Sequence, residues 1–256
     1  MYIPAVHSEE DTKVLQQFIK ETTLGLLTTA IPSETFSTIQ SSHIPFVLDA
    51  PEDAGSTQLG TLRGHIARQN PQAKAMITSA SPESSKGPAL SLEDEVLVVF
   101  TSPANHYVTP KYYVETKPTT AKVVPTWNYS AVQVYGKAKI YFDTTSEETS
   151  AFLQQQISDL SEHTETSIMG YGSPDKPGPW KVTDAPGRYI DIMKKAIMGI
   201  EITIERLEGK HKMSQEMKKG DRDGVVRGFE NMGTELGREI STLVKTKSEL
   251  KEGSSS

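Results

Sequence analysis

The sequence predicts a mainly β, α+β fold: a β-barrel with helices at its periphery. Two observations carry that expectation. Short β-rich stretches recur at 24–30, 36–48, 58–65, 95–101, 130–142 and 199–207, with few helical segments between them. The last of these comes after two helical segments and alternates cleanly, so the sheet is completed from both halves of the chain.

Each element has its own signal. Ser8 with Asp11 reads as a capping box, and Val14, Leu15, Phe18 and Ile19 give one apolar face to a helix over 9–22. Three strands follow at 24–30, 36–48 and 58–65, and Pro45 makes the second an edge strand or a bulged one. Asn70-Pro71 is expected to end this unit, and the polar insertion near 79–90 to project as a loop. The run at 95–101 is apolar throughout, as a buried strand is, and 130–142 alternates about Gly136. Helices are expected over 147–163, with Phe152, Leu153, Ile157 and Leu160 on one face, and over 185–198 behind an Asp184 cap. The isoleucines of 199–207 share one side of a late strand. Residues 213–250 are helical in composition, and 251–256 read as a mobile tail.

Composition narrows the function. A chain of 256 residues with 36% hydrophobic content buries a sizeable core. Its formal net charge of −6 argues against general nucleic-acid binding, which needs a basic surface. Cysteine is absent, which removes disulfides, thiolate metal sites and cysteine nucleophiles and fits a cytoplasmic setting. No apolar run is long enough to span a membrane, and the N-terminus lacks the charge and hydrophobicity of a secretory signal. The sequence shows no catalytic triad, no paired-carboxylate spacing and no metal-ligand motif.

Two stretches stand out chemically. Arg63, Gly64, His65 and Arg68 sit within six residues, and two guanidinium groups, an imidazole and an open backbone suit an anion such as a phosphate. There is no dinucleotide fingerprint and no Walker loop, so this site belongs to strands rather than to a βαβ turn. His43 lies one strand earlier and is able to approach His65 if the registers match. Trp127 and Tyr129 are able to cover an aromatic ligand while Asn128 bonds its edge, and Lys210 and Lys212 add cations. The segment 103–113 is turn chemistry rich in rings, read as packing.

The ordered set of segments resembles the FMN-binding split-barrel proteins of the PaiB-type negative transcriptional regulators. The residues that carry the likeness are Met1-Tyr-Ile-Pro4, Ser42-His-Ile-Pro-Phe-Val-Leu-Asp49, Leu62-Arg-Gly-His-Ile-Ala-Arg68 with Asn70-Pro71, Val96-Leu-Val-Val-Phe100, Val124-Pro-Thr-Trp-Asn-Tyr129, and Leu207-Glu-Gly-Lys210 with Ser214-Gln215. The resemblance implies a six-stranded split barrel, related to pyridoxamine phosphate oxidases, that forms a homodimer with FMN at the subunit interface. Residues 1–230 then form the FMN-binding domain, and 231–256 a C-terminal helix and flexible tail. The backbone of Ser42, His43 and Ile44 is expected to face the flavin ring, and Arg63, Gly64, His65 and Arg68 to serve the phosphate. Trp127, Asn128 and Lys210 complete the cofactor-binding set, and no metal is expected.

The late motif departs from the family's usual Gly-Lys-Trp-Lys-Leu-Ser-Gln-Asn by His211, Met213 and Glu216. A carboxylate beside a flavin phosphate is repulsive, so Glu216 either points away or marks a different ligand. Three functions fit the implied fold. A flavin-dependent oxidoreductase acting on a small molecule needs no protein acid or base. A PaiB-like regulator uses FMN as a structural or sensing ligand, and a haem-binding or haem-degrading barrel draws an axial nitrogen from His43, His65 or His211. Direct DNA binding is not expected, because the basic stretch 206–222 is interleaved with acids and no helix-turn-helix is present.

Overall fold

The computed structural model describes residues 1–51, 58–80 and 89–253. In chain order the elements are β1 (Ser8–Glu9), α1 (Thr12–Glu21), β2 (Leu24–Ala30), β3 (Ile39–Pro45), β4 (Val47–Asp49), β5 (Thr61–Ala67) and α2 (Pro71–Ser79). There follow β6 (Ala89–Thr101), β7 (His106–Val108), α3 (Thr116–Thr120), β8 (Thr126–Tyr141) and α4 (Glu147–His163). The chain ends with α5 (Gly187–Lys195), β9 (Ile197–Lys212), α6 (Lys219–Glu230) and α7 (Glu235–Gly253). Among the described residues no helix is long and apolar enough to cross a membrane.

Two compact units divide the chain. The first in sequence comprises 1–11, 101–132 and 208–256, and the second 12–100 and 133–207. The second holds the barrel. Its strands run in the order β3-β2-β6-β8-β9-β5-β4, and β3 and β4 are separated by Phe46 alone. The two ends of the sheet are therefore successive pieces of one stretch, and counting that stretch once leaves the six strands expected of a split barrel. The stretch 36–48 is thus not one strand: it breaks at Phe46, whose N donates to Thr23 O at 2.9 Å and whose ring packs edge-on to Phe100, centroids 6.1 Å apart.

Alternation places the core. On β5, Leu62, Gly64 and Ile66 are buried, and on β9 Met198, Ile200 and Ile202 have no exposure. The other face of β5 carries Thr61, Arg63 and His65. Here α4 covers the sheet, with Leu153 and Gln156 buried and Phe152 stacked on Tyr141 at 3.9 Å.

Three local expectations need correction. Ser8 caps no helix: it belongs to β1, opposite Lys210, and α1 starts at Thr12 and buries only Leu15 and Ile19. Asp184 does not cap α5. Its Oδ2 accepts from Lys181 N at 2.9 Å in a preceding 3₁₀ turn, and Pro186 occupies the N-cap of α5 without a side-chain bond. Asn70-Pro71 begins a helix rather than ending a unit, because Asn70 Oδ1 accepts from Gln72 N at 2.8 Å and proline suits the first helical position. Gln72, 1% exposed, then donates to Leu27 O, Thr29 Oγ1 and Gln40 O, fastening α2 to β2 and β3. Asn70→Ala is expected to lower unfolding free energy by about 1 kcal/mol in urea denaturation. The insertion near 79–90 lies largely outside the described residues, as do 254–256 of the expected tail.

In the other unit, β1 pairs with the end of β9 and β7 with the start of β8. Val108, Tyr113, Met213, Val225, Phe229, Ile240 and Val244 form its core, so α7 packs with α6. Two carboxylates cap reciprocally here. Asp221, fully buried, accepts from Glu115 N and Thr116 N at 2.9 and 3.1 Å, while Glu115 Oε2 accepts from Gly220 N at 3.0 Å. Burial pushes the Asp221 carboxyl up, but the hydrogen bonds from Thr116 and Glu115 outweigh it and hold the group below the usual carboxylate range.

Candidate functional site

The barrel unit holds seven of the residues singled out above. Ser42 and His43 lie on β3, opposite Leu27 and Leu26 of β2. Ser42 Oγ accepts from Asn70 Nδ2 at 2.9 Å, and His43 is exposed. Ile44, 2% exposed, faces the core. Gly64 also faces inward, where an added Cβ would lie 2.9 Å from the Phe46 ring. The space this glycine leaves is therefore used for core packing.

Arg63 and His65 project to the other face, onto α4. Arg63 Nε donates to Asp49 Oδ2 at 2.5 Å and Nη2 to Asp49 Oδ1 and Asp159 Oδ2, both at 2.7 Å. The hydrogen bond to Asp49 first, then that to Asp159, raises the guanidinium pKa above its already high value despite burial. Arg63 thus joins β4, β5 and α4. His65 Nδ1 meets Gln156 Oε1 at 2.7 Å, and Gln156 Nε2 has no acceptor among the described residues. Arg68 Nη1 donates to Phe142 O. The strands bearing His43 and His65 are not paired: β5 lies between β4 and β9, with Val47 opposite Arg63.

The other unit holds Trp127, Asn128 and Lys210. Trp127 is 49% exposed, yet its Nε1 donates to Asn105 Oδ1 at 3.2 Å. Asn128 is fully buried and accepts from Ser214 Oγ at 3.1 Å. Ser214 adopts φ 63°, a left-handed conformation that costs a non-glycine residue strain. Asn128 Nδ2 has no acceptor among the described residues. Lys210, 8% exposed, donates to Tyr2 O at 3.0 Å and lies 5.3 Å from the centre of the Tyr129 ring. Glu216, the departure that raised repulsion, is answered by the Lys212 ammonium at 3.2 Å and lies 3.6 Å from the His7 ring.

His211 is the second departure. Its Nδ1 meets Ser130 Oγ at 2.8 Å. Burial first, then the Lys247 ammonium, pushes its pKa down to about 4 against the pull of Glu9. Burial likewise lowers that of His7. Both imidazoles are neutral in the fold at pH 7. As pH falls from about 6.5 to about 4 the unfolded chain takes up protons that the fold refuses, so stability is full above this window and declines within it. His211 alone accounts for up to about 3 kcal/mol of that decline. In His211→Gln, urea unfolding followed across the window is expected to lose less stability than the parent.

A mostly antiparallel sheet of six strands whose two ends are pieces of one broken stretch, with peripheral helices, is the fold of a split-barrel protein. The chain belongs to the family described as "Putative FMN-binding domain", which matches residues 1–206. It is 58% identical over 254 residues to an uncharacterised protein of Emericella nidulans, covering 98% of this chain and 99% of that one. It is 23% identical over 248 residues to the "Protease synthase and sporulation protein PAI 2" of Bacillus subtilis, covering 96% and 98%. A solved structure of a conserved hypothetical protein from Mycobacterium tuberculosis is similar at 12% identity and a TM-score of 0.48, covering 85% of this chain and 94% of that one.

FMN is the cofactor of this family. Taken unit by unit, the chemistry present is compatible with it: the barrel unit carries the cationic side chains of Arg63 and Arg68, and the other unit carries the half-exposed ring of Trp127. Sequence reasoning missed Asp49, Asp159 and Gln156 as partners of the basic row. Asp159 and Gln156 read as ordinary helix-face residues, 96 and 91 positions from the side chains they bind.

Proposed function

We propose that the protein is an FMN-dependent oxidoreductase that works as a homodimer on a small molecule. The observation that carries this reading is the family match, which spans every barrel strand and ends within β9. FMN, when bound, supplies hydride or electron transfer, and the protein's task is to hold and orient it. In this reading Arg68 and Arg63 bind the phosphate, with His65 seated against Gln156, while Ser42, His43 and Ile44 offer backbone groups. Trp127, Asn128 and Lys210 form the second contact set. Steady-state oxidation of reduced nicotinamide cofactors by the FMN-loaded protein, with dyes or quinones as acceptors, tests the activity. Turnover above free FMN is expected, and none across these acceptors contradicts it.

The name of the Bacillus relative, which speaks of protease synthesis and sporulation, favours a second reading in which FMN is a sensing or structural ligand. FMN retention without turnover is the result that supports it.

A further inference from the structure

Helix α5 rests on α4 with its apolar stripe turned away from the protein. Tyr189, Ile192 and Met193 fall at positions i, i+3 and i+4, which is one stripe of a helix. They are 54%, 53% and 41% exposed, and no residue of α5 is buried. The side toward α4 carries half-buried Ile190 and Lys194, whose Nζ donates to Gln154 Oε1 and pairs with Asp191 Oδ1, both at 3.2 Å. An ammonium group therefore points to the protein and the apolar stripe to the surroundings, the reverse of a helix that serves a core.

The border of the stripe is basic. Arg188 stands four residues before Ile192 and Lys195 three after it, so both flank that side chain, and both are exposed. Residues 176–195 hold five basic and two acidic side chains, in a chain whose formal net charge is −6. The approach to the helix also exposes Trp180. Tyrosine and tryptophan, with an apolar body and a polar tip, suit the boundary between water and acyl chains. A second copy fits this face poorly. Three side chains are far fewer than the roughly 20–30 residues a side of a stable interface, and an antiparallel pair of these helices sets Arg188 of one copy against Lys195 of the other. An anionic plane meets both demands: its acyl boundary receives the stripe, and its headgroups receive the two cations.

We propose that α5 docks the protein on an anionic lipid surface, with Tyr189, Ile192 and Met193 in the interfacial layer and Arg188 and Lys195 at the headgroups. The contact lies within the barrel unit and needs no cofactor, so it goes beyond the oxidoreductase reading. One short face of this kind gives reversible, salt-sensitive attachment.

The test is co-sedimentation of the full-length protein, without added FMN, with phosphatidylcholine vesicles that do or do not carry about one-third phosphatidylserine. Binding to the anionic vesicles alone, falling as salt rises, is expected. Ile192→Asp is expected to weaken it at least about tenfold, and Arg188→Gln with Lys195→Gln about 30-fold. These side chains lie on the surface, so the urea midpoints are expected to stay near that of the parent. A parent that binds no anionic vesicles, or binds both kinds equally, overturns the proposal, as does binding that both variants retain in full. Gel filtration checks the other occupant: a parent dimer that Ile192→Asp converts to a monomer assigns the face to a second copy and overturns lipid docking.

Discussion

Gly136→Ala is expected to destabilise the protein by about 3 kcal/mol, seen as a lower urea midpoint at unchanged slope. Gly136 lies in β8 beside Ile202 and Thr203 of β9. An added Cβ would stand 2.0 Å from Thr203 O, 3.0 Å from Thr203 C and 3.1 Å from Ile202 Cγ2. The nearest obstacle is a backbone carbonyl, which cannot rotate away as a side-chain tip can. The two strands have to part, and parting them disturbs Ile200 and Ile202, both without exposure. A loss below about 1 kcal/mol would show that the strands separate freely at this point, against the close packing described.

Arg63→Ala with Arg68→Ala is expected to weaken FMN by at least about 100-fold, since a charged hydrogen bond to phosphate is worth about 1.5–3 kcal/mol and two guanidinium groups are removed. The single variants are expected to differ. Arg68→Ala removes one side-chain bond to the Phe142 carbonyl and leaves the barrel intact. Arg63→Ala also releases Asp49 and Asp159 from their shared partner, so β4, β5 and α4 lose a common tie. Because those carboxylates are 47% and 30% exposed, water screens them, and the stability lost is about 1 kcal/mol. Titration with FMN, beside a urea curve for each variant, separates the two effects. Unchanged affinity in a folded double variant places the phosphate elsewhere.

The strands were legible because half-buried sheets impose a period of two, and 24–30 and 199–207 carry it in plain view. The helix at 147–163 was equally plain, because Phe152, Leu153, Ile157 and Leu160 fall on one face at helical spacing. Helix α2 was not, because Asn70-Pro71 both terminates and initiates, and only the burial of Gln72 against β2 and β3 decides which. The basic row was legible as chemistry but not as geometry. Arginine at 63 announces an anion partner, and the sequence has no means of showing that Asp49 and Asp159 come first. The same holds for Glu216: read alone it repels a phosphate, whereas folded it faces Lys212 and His7. Tyr107 was read as packing within a ring-rich turn, and its exposure opposite Trp127 depends on a pairing between β7 and β8 that local pattern does not encode.

The central claim, that this barrel holds FMN, is tested most directly by the absorption spectrum of the protein purified and then titrated with FMN. The account predicts the paired near-ultraviolet and blue bands of oxidised flavin, retained through gel filtration at one FMN per chain. A protein that stays colourless after incubation with excess FMN contradicts it.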